Sequence, residues 1–160
     1  MKDALKQSWW KILAYTLAAS LLSFYLEVRI GAKFAIITLP DGSVSTDHTR
    51  WLLLSGCIFV IFLLIGGLVF FRKLSRKELF YSASVMVAVD IAGTLISNFT
   101  QRTPAGAAFA VYFSEFTSWN DFVADVLLNV IGLNPWISTI FAWSIPYLFV
   151  LFGKKTASNS

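Results

Sequence analysis

Cysteine and histidine are almost absent from this 160-residue chain, which holds one of each, Cys57 and His48. A single cysteine excludes an internal disulfide and a cysteine-rich metal site. With one histidine and no HExxH, GxSxG or phosphate-binding glycine loop, no combination supports nucleophilic or metal catalysis. The expectation is therefore a non-enzymatic protein without cofactor or resident metal. Charge is scarce as well: Asp, Glu, Lys and Arg make up 14% of the chain, against about 25% in soluble domains. What fills the space is apolar, 57% of residues, with mean hydropathy +0.69. A water-soluble fold is excluded on that balance. The net charge of +4 does not point to nucleic acid, because the basic residues gather at the ends of apolar runs rather than along one polar face.

Those runs define the fold class expected here: an all-α integral membrane protein, a four-transmembrane-helix bundle in one domain, with the lipid bilayer as its first partner. The spans are expected at about 9–30, 51–71, 79–99 and 135–152, each near the roughly 20 residues a crossing needs. Lys2, Lys6 and Lys11 ahead of the first run could also open a signal peptide, but Val28-Arg29-Ile30-Gly31-Ala32 lacks a clean pair of small residues for cleavage. The run is read as a retained helix. Asn134-Pro135 opens the last span as cap and first helical residue, and Pro146 inside it cannot donate to the Ala142 carbonyl, so a kink is expected. Gly66-Gly67 in the second span fits either close packing or flexibility.

Two outer loops, 31–50 and 100–134, complete the chain. In the first, Phe34 to Leu39 followed by Pro40-Asp41-Gly42-Ser43 reads as a strand entering a tight turn, hence a short extracytoplasmic β-hairpin. In the second, Asp121, Asp125 and Asn129 recur every fourth residue while Phe122, Val126, Val130 and Leu133 take another side. That pattern predicts an interfacial amphipathic helix with a solvated polar face. The alternative is a fifth span from Thr117 to Leu133, which would bury both aspartates.

Orientation follows from Lys and Arg. Lys2, Lys6, Lys11, Arg72, Lys73, Arg76, Lys77, Lys154 and Lys155 fall on one side, nine against the four of Arg29, Lys33, Arg50 and Arg102 on the other. The excess places both termini in the cytoplasm, with the cell membrane as the expected location. Trp9, Trp10, Trp51, Trp119 and Trp136 lie at or near expected span ends, where such rings favour the headgroup layer.

Asp90 is the main functional pointer, since an aspartate at the centre of a span costs on the order of 3 kcal/mol. Thr94 and Asn98 follow at four-residue steps with Ser97 beside them, forming an intramembrane polar stripe toward the outer surface. Ser20, Ser23 and Ser144 fall at matching depth and are the expected hydrogen-bond partners of Asp90. Ser84, Ala88 and Ala92 mark a second face of the same helix on which another helix could pack closely.

The string Asp125-Val126-Leu127-Leu128-Asn129-Val130-Ile131-Gly132 resembles a short segment of VanZ-like membrane proteins. The likeness covers eight of 160 residues, that family's earlier histidine-containing helix has no counterpart, and no property is carried over. Function is then expected to be helix–helix assembly or partner binding, with a membrane protein or a second copy as partner. The alternative is a small transporter or channel component with Asp90 as its proton or cation site. A membrane enzyme stands third and would need a pocket gathering Asp121, Asp125 or Glu115 with Arg102.

Overall fold

A computed structural model of the protein describes residues 8–155; Lys2 and Lys6 lie outside them. The four expected spans form as helices long and apolar enough to cross a membrane: α1, Lys11–Phe34; α2, His48–Phe71; α3, Arg76–Thr100; and the last, Pro135–Phe152. Between α3 and that last helix the chain adds α4, Pro104–Thr117, a 3-10 turn at Ser118–Asn120, and α5, Asp121–Asp125, prolonged by a π-wound turn over Val126–Val130. The Pro135–Phe152 helix is therefore α6.

The starts of α2, α3, α4 and α6 each have a local chemical reason. Asp47 caps α2 by accepting from the Arg50 amide, and Thr103 does the same for Gly106 ahead of Pro104. Asn134 accepts from the Trp136 amide at 2.9 Å, with Pro135 in the first turn as the sequence implies. Ser75 and Glu78 cap α3 reciprocally. Between α1 and α2, β1 (Ile36–Thr38) pairs antiparallel with β2 (Val44–Thr46), Ile36 opposite Thr46. Gly42 takes a positive φ of 82° in the connecting turn, and the Ser43 amide and hydroxyl both donate to Asp41 Oδ1. The expected hairpin is present.

Lys11, Arg72, Lys73, Arg76, Lys77, Lys154 and Lys155 share one end of the bundle. There the Lys154 amide donates to the Leu74 carbonyl and the Arg76 amide to the Lys154 carbonyl, tying the chain after α6 to the α2–α3 turn. The centre is filled by Ile12, Leu79, Met86 and Phe149, all fully buried. Gly66 and Gly67 are buried contact points: a β-carbon at Gly66 would strike the Tyr15 and Phe149 rings, and one at Gly67 the Phe152 ring. Close packing, rather than looseness, accounts for them. At Pro146 the helix answers the missing N–H by tightening from α to 3-10 winding over Ile145–Phe152.

The segment from 100 to 134 departs from expectation. Rather than resting along the outer surface, α4 turns back beside α3, with Phe113 seated on Gly93, so closely that a β-carbon there would overlap the ring. The 3-10 turn then reaches the bundle centre, and α5 returns past α2, its Phe122 ring against Gly56, to the end it entered from. A fifth span from Thr117 to Leu133 does not form, because α4 ends at Thr117 and the pieces after it are too short. Trp119 is 2% exposed in the core, not at a span end as expected with Trp9, Trp10, Trp51 and Trp136. Cys57 is exposed on α2.

Two outcomes follow. Gly93→Ala should overpack the α3–α4 contact and cost about 1–3 kcal/mol, read as a lower thermal midpoint in detergent, whereas Ala92→Leu on the exposed face should leave the midpoint nearly unchanged. The Ser43 hydroxyl and amide hold the Asp41 carboxyl below the usual carboxylate range. The turn therefore keeps that contribution at neutral pH and loses it as pH falls through the lowered value. A carboxyl-carbon NMR titration should find Asp41 titrating low in the wild type and moving up in Ser43→Ala.

Candidate functional site

The hairpin made by α4 and α5 brings three breaks in regular winding close to acidic side chains. A chain that leaves the helix at Ser118 exposes backbone polar groups in an apolar interior, where each must find a partner. They do: the Trp119 amide donates to Ser20 Oγ at 3.1 Å. The Asn120 side-chain amide donates to the Ala142 carbonyl at 2.6 Å. That carbonyl is the one Pro146 cannot serve in an α-helix, so Asn120 and the Ile145 amide share its satisfaction. The Trp119 indole stacks on Phe59 from α2 and Phe149 from α6, with centroids 5.7 and 5.6 Å away.

On either side of this tip lies a cavity. The larger, about 280 Å³, opens between α1, α2 and the hairpin and is lined by Ser23, Glu27, Trp51, Ser55, Glu115, Ser118, Trp119, Asp121 and Asp125, with Phe24 and Phe122 among its apolar walls. The smaller, about 100 Å³, lies between α3, α6 and the tip and holds Asp90, Thr94, Thr117, Asn120, Asp121 and Thr139. Asp121 lines both. Five carboxylates thus run through adjoining spaces: Glu27, Glu115 and Asp125 in the first, Asp121 between, Asp90 in the second.

Among the described residues no cation pairs with them. The ion pair among the described residues is Arg50 with Asp47, 3.4 Å apart on the surface. His48, at the start of α2, is near enough for its field to reach Asp125. Like charges around a poorly solvated space are costly together, so protons or a bound cation must offset them. Among the described residues four buried polar atoms also lack a hydrogen-bond partner: Ser23 Oγ, Asp90 Oδ1, Ser97 Oγ and Trp119 Nε1. Such orphans are few in folded proteins and call for an explanation. Ser23 and Trp119 line the larger cavity, Asp90 the smaller.

The stripe read from the sequence is partly assembled. Asp90, 3% exposed, and Thr94 line the smaller cavity, whereas Asn98 is exposed near the C-terminal end of α3 and Ser97 lies beside neither cavity. The expected partners of Asp90 are engaged elsewhere: Ser20 accepts from Trp119, Ser144 donates to the Phe141 carbonyl, and Ser23 faces the other cavity. Asp90 meets the hairpin instead, because the tip reaches its depth. On the second face of α3, Ser84 shares a hydrogen bond with Tyr147, and Ala88 and Ala92 are exposed.

Asp121 and Asp125 share a face as their spacing implies, but it borders a cavity. Asn129 leaves that face because the winding becomes π-helical at Val126. Glu115, Asp121 and Asp125 do converge, with Glu27 rather than Arg102 as the fourth charged group. Glu27 went unread because it sits at the end of the first apolar run, where a boundary charge is ordinary. The available signal was the unpaired acid itself, inside what becomes a 24-residue helix.

Fold and site together define a class: a bundle of four helices able to cross a membrane, with a helical hairpin carrying an acidic cavity into its centre. No family model, curated protein or solved structure matches this chain.

Trp119→Ala should remove the stacked tip and cost about 3–5 kcal/mol, while Trp119→Phe keeps most of the packing and should cost far less. Ser20→Ala, which strands the Trp119 amide, should fall between them at about 1–3 kcal/mol. Denaturant titration in mixed micelles orders the three.

Proposed function

We propose that this protein handles a cation within the membrane, as a small transporter or channel component, using the carboxylates that the hairpin gathers beside Asp90. The observation carrying this reading is that Asp121 lines both cavities, so that the acids of one adjoin the acid of the other. Broken helices meeting at the midplane are a common way for membrane proteins to bind ions, because irregular backbone is tolerated at that depth only where protein or a cavity satisfies it. The hairpin is then a re-entrant element dipping from the outer surface. The Lys and Arg asymmetry puts both termini in the cytoplasm and the larger cavity toward the outside of the cell membrane.

Assembly with another chain explains the exposed small-residue face of α3 but leaves five unpaired acids without a role. The cation reading gives those acids their role. Carboxylates exchange protons or cations with one another and with water as a site fills and empties, and no covalent step is required.

In proteoliposomes loaded with a pH-sensitive dye, a potassium or sodium gradient should drive a proton or cation flux above that of empty vesicles. Asp121→Asn and Asp90→Asn should each reduce it at least tenfold, and Asp41→Asn should not change it. Flux equal to empty vesicles for the wild type, or an unaffected Asp121→Asn protein, rules the reading out.

A further inference from the structure

Away from the acids, α1 and α2 leave a groove of about 610 Å³ between them, walled by Ala14, Ala18 and Leu22 on one side and by Phe62, Ile65 and Phe70 on the other. Ala14 and Ala18 are too short to fill the gap, and both are exposed along it. Tyr15 ties the two walls together: its hydroxyl donates to the Phe62 carbonyl at 2.5 Å, and its ring meets those of Phe70 and Phe71. Among the described residues, none of the unpartnered buried polar atoms belongs to this groove. Its occupant needs no hydrogen bond inside it.

The two ends differ. Along α1 the lining runs from Lys11 to Leu22, about 16 Å at roughly 1.5 Å per residue, close to half of the roughly 30 Å hydrocarbon core of a bilayer. A partner helix crossing the membrane would need a seat through both leaflets, and this one stops after the first. Its inner end, at Leu22 and Phe62, is apolar. At the other end Trp10 and Lys11 border the opening, and Arg72 and Lys73, both exposed, follow directly on Phe71 of its wall. The basic cluster of the bundle lies at that end, where the acid among the described residues is Glu78. Glu78 takes hydrogen bonds from the Ser75 amide and hydroxyl and from the Ser8 hydroxyl, and although the field of Lys11 reaches it, the two form no ion pair. The asymmetry that orients a membrane protein explains the cations but calls for no slot beneath them. An apolar slot one leaflet deep under a cationic rim is complementary to a lipid with an acyl chain and an anionic headgroup.

We propose that the groove between α1 and α2 binds one anionic phospholipid from the leaflet on the basic side, with an acyl chain lying along Ala14 and Ala18 and the phosphate meeting Lys11 and Arg72. This rests on insertion of the four long helices in a bilayer and is independent of cation handling.

The test uses the full chain in detergent micelles, with lipids added singly and bound copies counted by native mass spectrometry. The probes are a phosphatidylglycerol and a phosphatidylcholine with identical long chains, and dihexanoyl phosphatidylglycerol. One long-chain phosphatidylglycerol should be retained per protein, at least tenfold more tightly than either of the others. Lys11→Gln combined with Arg72→Gln should bring it down to the phosphatidylcholine level, whereas Lys154→Gln combined with Lys155→Gln should not. Ala14→Leu combined with Ala18→Leu, at exposed positions that leave the core intact, should weaken it at least tenfold with every cation still present; an unchanged thermal midpoint checks the fold. Equal retention of the two long-chain lipids overturns the proposal, as does an equal loss from the Lys154 and Lys155 changes, which would assign the attraction to the basic face as a whole. Unchanged binding in the alanine variant, or equal binding of the short-chain lipid, would remove the acyl chain from the groove. A dimer free of lipid would give the groove to a second copy of the chain.

Discussion

The structure depends on satisfying a few backbone groups where the chain cannot be helical. An interrupted helix in an apolar interior leaves donors and acceptors that no water reaches, and each costs far more unpaired than a hydrogen bond contributes when made. Two interruptions face each other here. The hairpin tip frees the Trp119 amide, and Pro146 denies the Ala142 carbonyl its usual donor. Ser20 answers the first and Asn120 the second. One break thus supplies the donor that the other lacks, and this exchange fixes the depth at which the hairpin sits. Trp119, clamped between Phe59 and Phe149, adds the apolar burial that makes docking favourable.

The cavities follow from that docking. With its tip pinned at the centre, the hairpin cannot lie flush against both pairs of neighbouring helices. Space remains on either side, and the acidic faces of α4 and α5 turn toward it. The π-wound turn beginning at Glu27 borders the larger space, and the other begins directly after Asp125, which lines that space from the opposite side. Such turns displace side chains from the ordinary helical register and recur at functional positions. The same displacement separates Asn129 from the two aspartates that precede it.

The four long helices were legible in the sequence because their signal is local. An apolar run of sufficient length, closed by basic residues or opened by Asn134-Pro135, needs no knowledge of distant contacts. The hairpin turn at Asp41-Gly42 was legible for the same reason. Residues 104–130 were not, since each arm is shorter than a span and its placement depends on partners remote in sequence. Ser20 is 99 positions from Trp119, and Ala142 is 22 from Asn120. Trp119 looked like one more belt tryptophan because five of the six occur near run ends. Asp90 was found from its position in an apolar run, but its neighbours were sought on the spanning helices alone. The element that meets it had been assigned to the surface.

The order in which the chain is made adds a constraint of its own. Trp119 and Asn120 leave the ribosome before Ala142 and Phe149 exist, so the hairpin has Ser20 for the Trp119 amide but no acceptor for Asn120 and only part of its aromatic clamp until the last helix has been synthesised. Insertion of the long helices must precede docking, and the acidic site becomes complete as the final event of biogenesis. A chain arrested before α6 would carry every acid of the larger cavity and still lack Ala142 and Phe149, two of the groups that hold their scaffold in place.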